Sequence, residues 1–211
     1  GSGLVGSEMC IRDRLDGIEG ILNLAAASGE DLGTTSDIVT DALTAFGLKA
    51  SDAAHFSDVL AQSAASANTN VSMMGESFKY VAPIAGAMKY SVEDTSLALG
   101  LMANASVKGS MAGTSLKTAL ANMAAPTDKM ATAMKKYGIS LTDSNGNMKT
   151  LKGVLDNLRS SLGGLSETEK TAAASTIFGK EAMSGMLAII NATESDYNKL
   201  AESINLSLIH I

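Results

Sequence analysis

No stretch of this chain runs long without a break, and that limits what it can fold into. Glycine, proline and capping residues divide it into about ten segments, most of about 10 to 17 residues, with apolar residues at helical spacing. Ile38, Val39, Ala42, Leu43 and Phe46 form one stripe, stopped by Gly47. Ala53, Phe56, Val59, Leu60 and Ala64 form another, behind a capping Ser51. The cleanest is Leu151, Val154, Leu155, Leu158 and Leu162, capped by Thr150 and closed by Gly163 and Gly164. Lys152, Asp156 and Arg159 lie on its opposite face. Alternation occurs in one place. Residues 139–141 and 148–150 flank Asp143-Ser-Asn-Gly-Asn147, and Asn145-Gly146 is a strong turn signal. The expected fold class is all-α: a compact multi-helix bundle of about ten short helices with one small β-hairpin near 139–149. No heptad persists over three turns, so a long coiled coil is excluded.

The remaining boundaries follow from the same signals. A short helix from Leu15 ends at Ser28 before Gly29, and Thr35 or Ser36 is the expected cap of the next. Ser72 opens a helix in which Pro83 predicts a kink or break. Ser91 with Asp94 resembles a capping box, and Ser166 with Glu169 makes a second. From Leu97 to Val107 nearly every face is apolar, as in the buried centre of a bundle. Leu116, Ala119, Leu120 and Met123 mark a helix that Pro126 ends. Met130, Met134 and Tyr137 face inward on the next, which stops at Gly138. Ile177 and Phe178 close a helix at Gly179; Met183, Met186, Leu187 and Ile190 define another. Thr193 caps a last one carrying Tyr197 and Leu200.

Composition narrows the functional classes. Apolar residues make up 45% of the 211, which argues against disorder. Aromatics are only 4%, with no Trp, so the core is expected from Ala, Leu, Ile, Val and the twelve Met. A net charge of −6 repels nucleic acid, and Lys135-Lys136, the densest basic pair, suits a helix C-terminus. The one cysteine, Cys10, makes no internal disulfide. The longest nearly unbroken apolar run, Tyr80 to Met88, is far short of the roughly 20 residues a membrane span needs.

Catalytic and metal-binding patterns fail on spacing. A calcium loop beginning at Asp143 would need Gly and Glu where Met148 and Val154 stand, so the segment reads as a polar turn. His55, flanked by Asp52 and Asp58, reads as part of a solvated helix face. Glu167 and Glu169 sit two apart at a helix start, where dipole and cap terms explain them. With Glu181 they form no expected carboxylate pair. There is no Gly-x-Ser-x-Gly elbow and no phosphate-binding loop. Gly109-x-x-x-Gly113 is expected in a loop before the Leu116 helix. No catalytic, cofactor-binding or metal-binding residue is assigned, no cofactor is expected, and the chain is read as not an enzyme.

The segment Gly113 to Asn191 joins these elements in a distinctive order: helix, Pro break, helix, Gly stop, polar turn, Leu-periodic helix. Ile177-Phe-Gly-Lys-Glu-Ala-Met183 then turns a corner into another helix. That ordered set resembles the core region of phage tail tape measure proteins, and residues 32–107 resemble the same region. The resemblance implies a structural component of a long-tailed phage or prophage virion, acting in tail assembly and tail length determination. It implies tail tube, tail tip and tail assembly chaperone proteins as partners. It places the protein in the virion tail, and in the host bacterial cytoplasm during assembly. Self-association is compatible with it. The alternatives are a helical interaction module with a Met-rich groove and a cell-wall-active hydrolase domain. Were residues 15–205 one straight helix they would span roughly 290 Å, but the breakers favour a folded domain. That core, 15–205, carries a candidate sub-division near 138. Segments 1–14 and 206–211 resemble translated sequencing-adaptor DNA, and are expected to be non-native tails.

Overall fold

Cap chemistry starts most of the helices and tertiary contact decides the rest. The computed structural model describes residues 17–206. Eleven α-helices lie among them. They are α1 (17–28), α2 (Leu32–Phe46), α3 (Ala53–Ser66), α4 (Val71–Ala87), α5 (Val92–Asn104) and α6 (Gly109–Ala124). After these come α7 (Asp128–Tyr137), α8 (Leu151–Leu162), α9 (Glu167–Phe178), α10 (Lys180–Asn191) and α11 (Glu194–Leu206). The hydroxyls of Ser91, Thr127, Thr150 and Ser166 each accept the backbone N–H three residues on, satisfying a donor that the first turn leaves open. Gly47 and Gly138 end α2 and α7 in the left-handed conformation. The all-α class therefore holds. The expected tails, 1–14 and 206–211, lie outside the described residues except for Leu206, which ends α11.

Several expectations are corrected. The β-hairpin near 139–149 is absent; the segment makes one isolated antiparallel bridge, Thr142 to Met148. Asp143 closes a tight turn, its carboxylate accepting the N–H groups of Asn145 at 2.8 Å and Asn147 at 2.9 Å. Ile139 and Leu141 are buried in the bundle, and Thr150 already caps α8, so no length remains for a ladder. The cap of α2 is Asp31, not Thr35 or Ser36; Thr35 is buried and gives its hydroxyl to the Asp31 carbonyl. Asn70 rather than Ser72 caps α4. Ser51 lies in a single 3-10 turn ahead of α3, where the Lys49 N–H reaches the Asp52 carboxylate. Pro83 neither breaks nor ends α4, which runs on to Ala87; the proline is exposed, one turn before the helix end. Gly109 and Gly113 lie inside α6 rather than in a loop.

The core is one continuous apolar cluster running from α1 to α11. α5 passes through it with ten of its thirteen residues buried, touching α3, α4, α6, α8, α10 and α11. Around it, glycine lets one helix meet the backbone of another directly. Gly86 of α4 lies against the Ala45 carbonyl of α2, and Gly113 of α6 against the Ser77 carbonyl of α4. A Cβ at either position would overlap that oxygen. The Ser77 hydroxyl locks the second crossing by donating to Gly109 O at 2.8 Å and to Met73 O at 3.0 Å. Three of the four phenylalanines meet edge-on: Phe78 of α4 with Phe46 at 6.0 Å and Phe56 at 5.4 Å between ring centres. The fourth, Phe178, is fully buried where α9 turns into α10, and its carbonyl accepts the Asn122 amide at 2.7 Å.

One cap crosses between helices. Ser91 and Asp94 form only half of a capping box. The Asp94 carboxylate does not return to Ser91 but accepts the Lys152 N–H in the first turn of α8, at 2.8 Å. Burial is the main cause that raises the Asp94 pKa, with the Glu93 carboxylate adding to it, against the lowering pull of the Lys152 N–H. Asp143 is opposite in sign. The turn N–H of Asn147, then that of Asn145, hold it below the usual aspartate value.

Three measurements check this packing. Gly113→Ala should destabilise the domain by about 1–3 kcal/mol, although Ala is the better helix former by about 1 kcal/mol; thermal melts decide the sign. Leu155→Ala and Leu158→Ala, at sites 1% and 0% exposed, should each cost about 2–5 kcal/mol in denaturant unfolding. Carboxyl-carbon NMR titration should place the Asp94 midpoint above 3.8 and that of Asp143 below it. The stability linked to Asp94 is complete below its unfolded pKa and is lost as pH rises through its raised value. That linked to Asp143 is present above its unfolded pKa and is lost as pH falls through its lowered one.

Candidate functional site

The residues with the most chemical potential in the sequence are spread over the fold, and several of them are engaged in holding it. His55 does not join Asp52 and Asp58. Its Nε2 meets Glu93 Oε1 at 2.6 Å, tying α3 to α5, with the two side chains 31% and 19% exposed. This partner leaves no local signature, because the two residues are 38 positions apart. Glu167 pairs with Lys170 at 2.9 Å, and the buried Lys170 ammonium also donates to Asn191 Oδ1 at 2.8 Å at the end of α10. Glu169 accepts the Ser166 hydroxyl at 2.7 Å, which holds its carboxyl below the usual range. Glu181 is exposed in the first turn of α10. Lys135 and Lys136 are exposed in the last turn of α7. Among the described residues, no group of three or more His, Cys, Asp or Glu side chains is placed to hold a metal ion. No helix among them is long and apolar enough to cross a membrane.

The densest polar cluster joins α5, α8 and α11. Tyr197 of α11 is 2% exposed, and the Arg159 guanidinium of α8 stacks 4.1 Å from its ring centre. Arg159 Nη2 donates to the Ala192 carbonyl at 3.0 Å, and the Lys152 ammonium lies 5.3 Å from the same ring. Lys152 also pairs with Asp156 at 2.9 Å, an exposed contact of small energetic weight. Burial, and then the nearby Asp156 carboxylate, raise the Tyr197 pKa. Tyr90 is pushed up to about 12 by burial alone. A phenol held protonated beside an arginine clasps one helix to another; it supplies neither a neutral-pH base nor a nucleophile. The face of α8 bearing Lys152, Asp156 and Arg159, read as opposite to the core, is thus partly covered by α11.

The methionines answer the groove reading in a similar way. Met74, Met102, Met123, Met134 and Met186 are buried in the core, while Met73, Met111 and Met148 are separately exposed. One open concavity among the described residues is a groove of about 700 Å³ between α2 and α4. Ile38, Ala42, Ala45, Phe78 and Ala82 line its floor, and Met73 is the methionine beside it.

Many polar side chains of this all-helical domain serve as caps, clasps and ties, and comparison with known proteins gives its family. The profile of the phage-related minor tail protein family matches residues 7–179. The chain is 39% identical over 194 residues to the tape measure protein of Pneumococcus phage Dp-1, covering 92% of this chain and 17% of that one. It is 29% identical over 176 residues to the probable tape measure protein of Escherichia phage P2, covering 82% of this chain and 22% of that one. The chain therefore spans about a fifth of the length of these relatives or less. No solved structure matches it. With the family profile extending from ahead of α1 to the Phe178–Gly179 corner, the chain belongs to the phage-related minor tail protein family.

Proposed function

We propose that this chain is the core segment of a tape measure protein from a long-tailed phage or prophage, with a role in tail assembly and tail length determination. The observation that carries the reading is the similarity along 92% of the chain to a protein named for that role. Residues 15–205 act as one helical unit in this reading. It works in the virion tail and, during assembly, in the host bacterial cytoplasm. Its partners are tail tube, tail tip and tail assembly chaperone proteins. Its contribution is structural and needs no cofactor, nucleic acid or bond-breaking step. His55 is bonded to a neighbouring helix, Glu169 to a cap hydroxyl and Asp143 to turn N–H groups, which supports a structural role.

In-frame deletion of codons 17–206 from a phage carrying this segment tests the reading. Tails should be absent or altered in length, the change bounded by about 290 Å for the segment as a fully extended helix. Normal tails at normal titre would overturn the assignment. In parallel, the purified chain should leave peptidoglycan uncut where a lysozyme control acts. Turnover lost on changing one Glu or Asp would promote the hydrolase reading.

A further inference from the structure

The groove between α2 and α4 combines an apolar floor with a rim of one dominant charge. Its floor is small where α2 and α4 face each other: half-buried Ile38 and Ala45 line it, over Ala42, Phe78 and Ala82, each 3% exposed or less. Small residues flanked by larger ones leave depressions that side chains of leucine size fill. Met73, 43% exposed, extends the apolar surface at one end. On the rim, Asp37, Asp41 and Glu76 stand against the single Lys79, and all four are exposed. None of the three carboxylates makes an ion pair or a side-chain hydrogen bond among the described residues. That sets them apart from Asp31, Asp94, Asp143 and Glu169, which are occupied by caps and turns.

Pro83 removes one backbone donor at the same place. It lines the groove inside α4 and has no N–H to give the carbonyl of Lys79, four residues earlier. A helix interior ordinarily hides that oxygen in its own ladder; here it lacks its usual partner. The groove thus offers carboxylates and apolar depressions, and only one basic side chain. From Met73 to Pro83 it runs about 15 Å along α4, or roughly three helical turns.

We infer that this groove binds a basic amphipathic helix from another polypeptide, with leucine-sized residues seated between α2 and α4 and lysine or arginine flanking them. The apolar stripe supplies affinity, and the acidic rim selects the sign of the partner and orients it. The role goes beyond the structural assignment above and does not depend on it, because it rests on the groove alone.

The test uses the 211-residue chain and a 14-residue peptide, acetyl-LKKLLKLLKKLLKL-amide, with a version carrying Glu at every Lys. Fluorescence anisotropy should give saturable binding of the lysine peptide that weakens with salt, and no binding of the glutamate peptide. D37K/D41K/E76K should weaken binding at least tenfold. D128K/E194K/E202K makes the same charge change on α7 and α11 and should leave binding within about threefold. T44W fills the groove from its exposed rim and should also weaken binding, which keeps the test open if the triple groove variant does not fold. Circular dichroism checks that each variant is helical. Equal binding of both peptides, or equal losses in the two triple variants, would overturn the inference. So would a dimer in sedimentation that D37K/D41K/E76K abolishes, because a second copy would then own the groove. Tighter peptide binding after deletion of residues 1–16 would likewise assign it to the chain's own N-terminal segment.

Discussion

The structure depends on how closely its helices approach one another. With aromatics at 4% and no tryptophan, the chain has few side chains large enough to fill the space between widely spaced helices. It closes that space by bringing backbones together. Gly86 against Ala45 and Gly113 against Ser77 set the two crossings that hold α4 between α2 and α6. Gly185 of α10 brings that helix against Ser115 and Met102, joining the later helices to the earlier ones. Each contact gains dispersion energy that a Cβ would turn into overlap. Three of the buried hydroxyl residues fit the same economy of size: Ser63, Ser77 and Thr95 return their hydroxyls to carbonyls of their own helices, whereas the buried Ser57 and Ser96 hydroxyls have no partner among the described residues.

Polar chemistry in this protein serves connection. Asp94 caps a helix it does not belong to, Arg159 holds α8 to the final helix through Tyr197, and Lys170 reaches the end of α10. A half-buried arginine stacked on a ring and bonded to a carbonyl cannot shift without loosening two helices. Such groups are poorly placed to meet a substrate and well placed to fix the relative angle of short rods. That arrangement fits membership of a tail protein family and a fold built from many small helices.

Local signals were legible in the sequence, and long-range ones were not. Ser91, Thr150 and Ser166 identify their own helix starts, because a hydroxyl satisfies an N–H three residues away whatever surrounds it. The stripe on α8 identifies Leu155 and Leu158 as core for the same reason of proximity. Thr35 misled because its hydroxyl could serve either as a cap or as a buried group bonded back to Asp31; burial chose the second. The hairpin failed because a good turn at Asn145-Gly146 says nothing about whether flanking residues are free to pair, and Ile139, Leu141 and Thr150 were not. Gly113 looked like a loop residue because the feature that requires it, the Ser77 carbonyl on another helix, is 36 positions away, while Gly109 takes the left-handed conformation at the very start of α6. The partner of His55 was hidden in the same way.

The placement of α11 has a kinetic side. Tyr197, Leu200 and Ile204 are buried, and the helix lies on α3 and α5, more than ninety positions earlier in the chain. During synthesis, α3 and α5 leave the ribosome with that face bare, and only the last helix of the described span covers it. The domain therefore cannot close progressively as it emerges; it must wait for its end. Until then an apolar strip of the bundle is open to other chains, and the nascent protein is most exposed to mispairing or to capture by a binding partner.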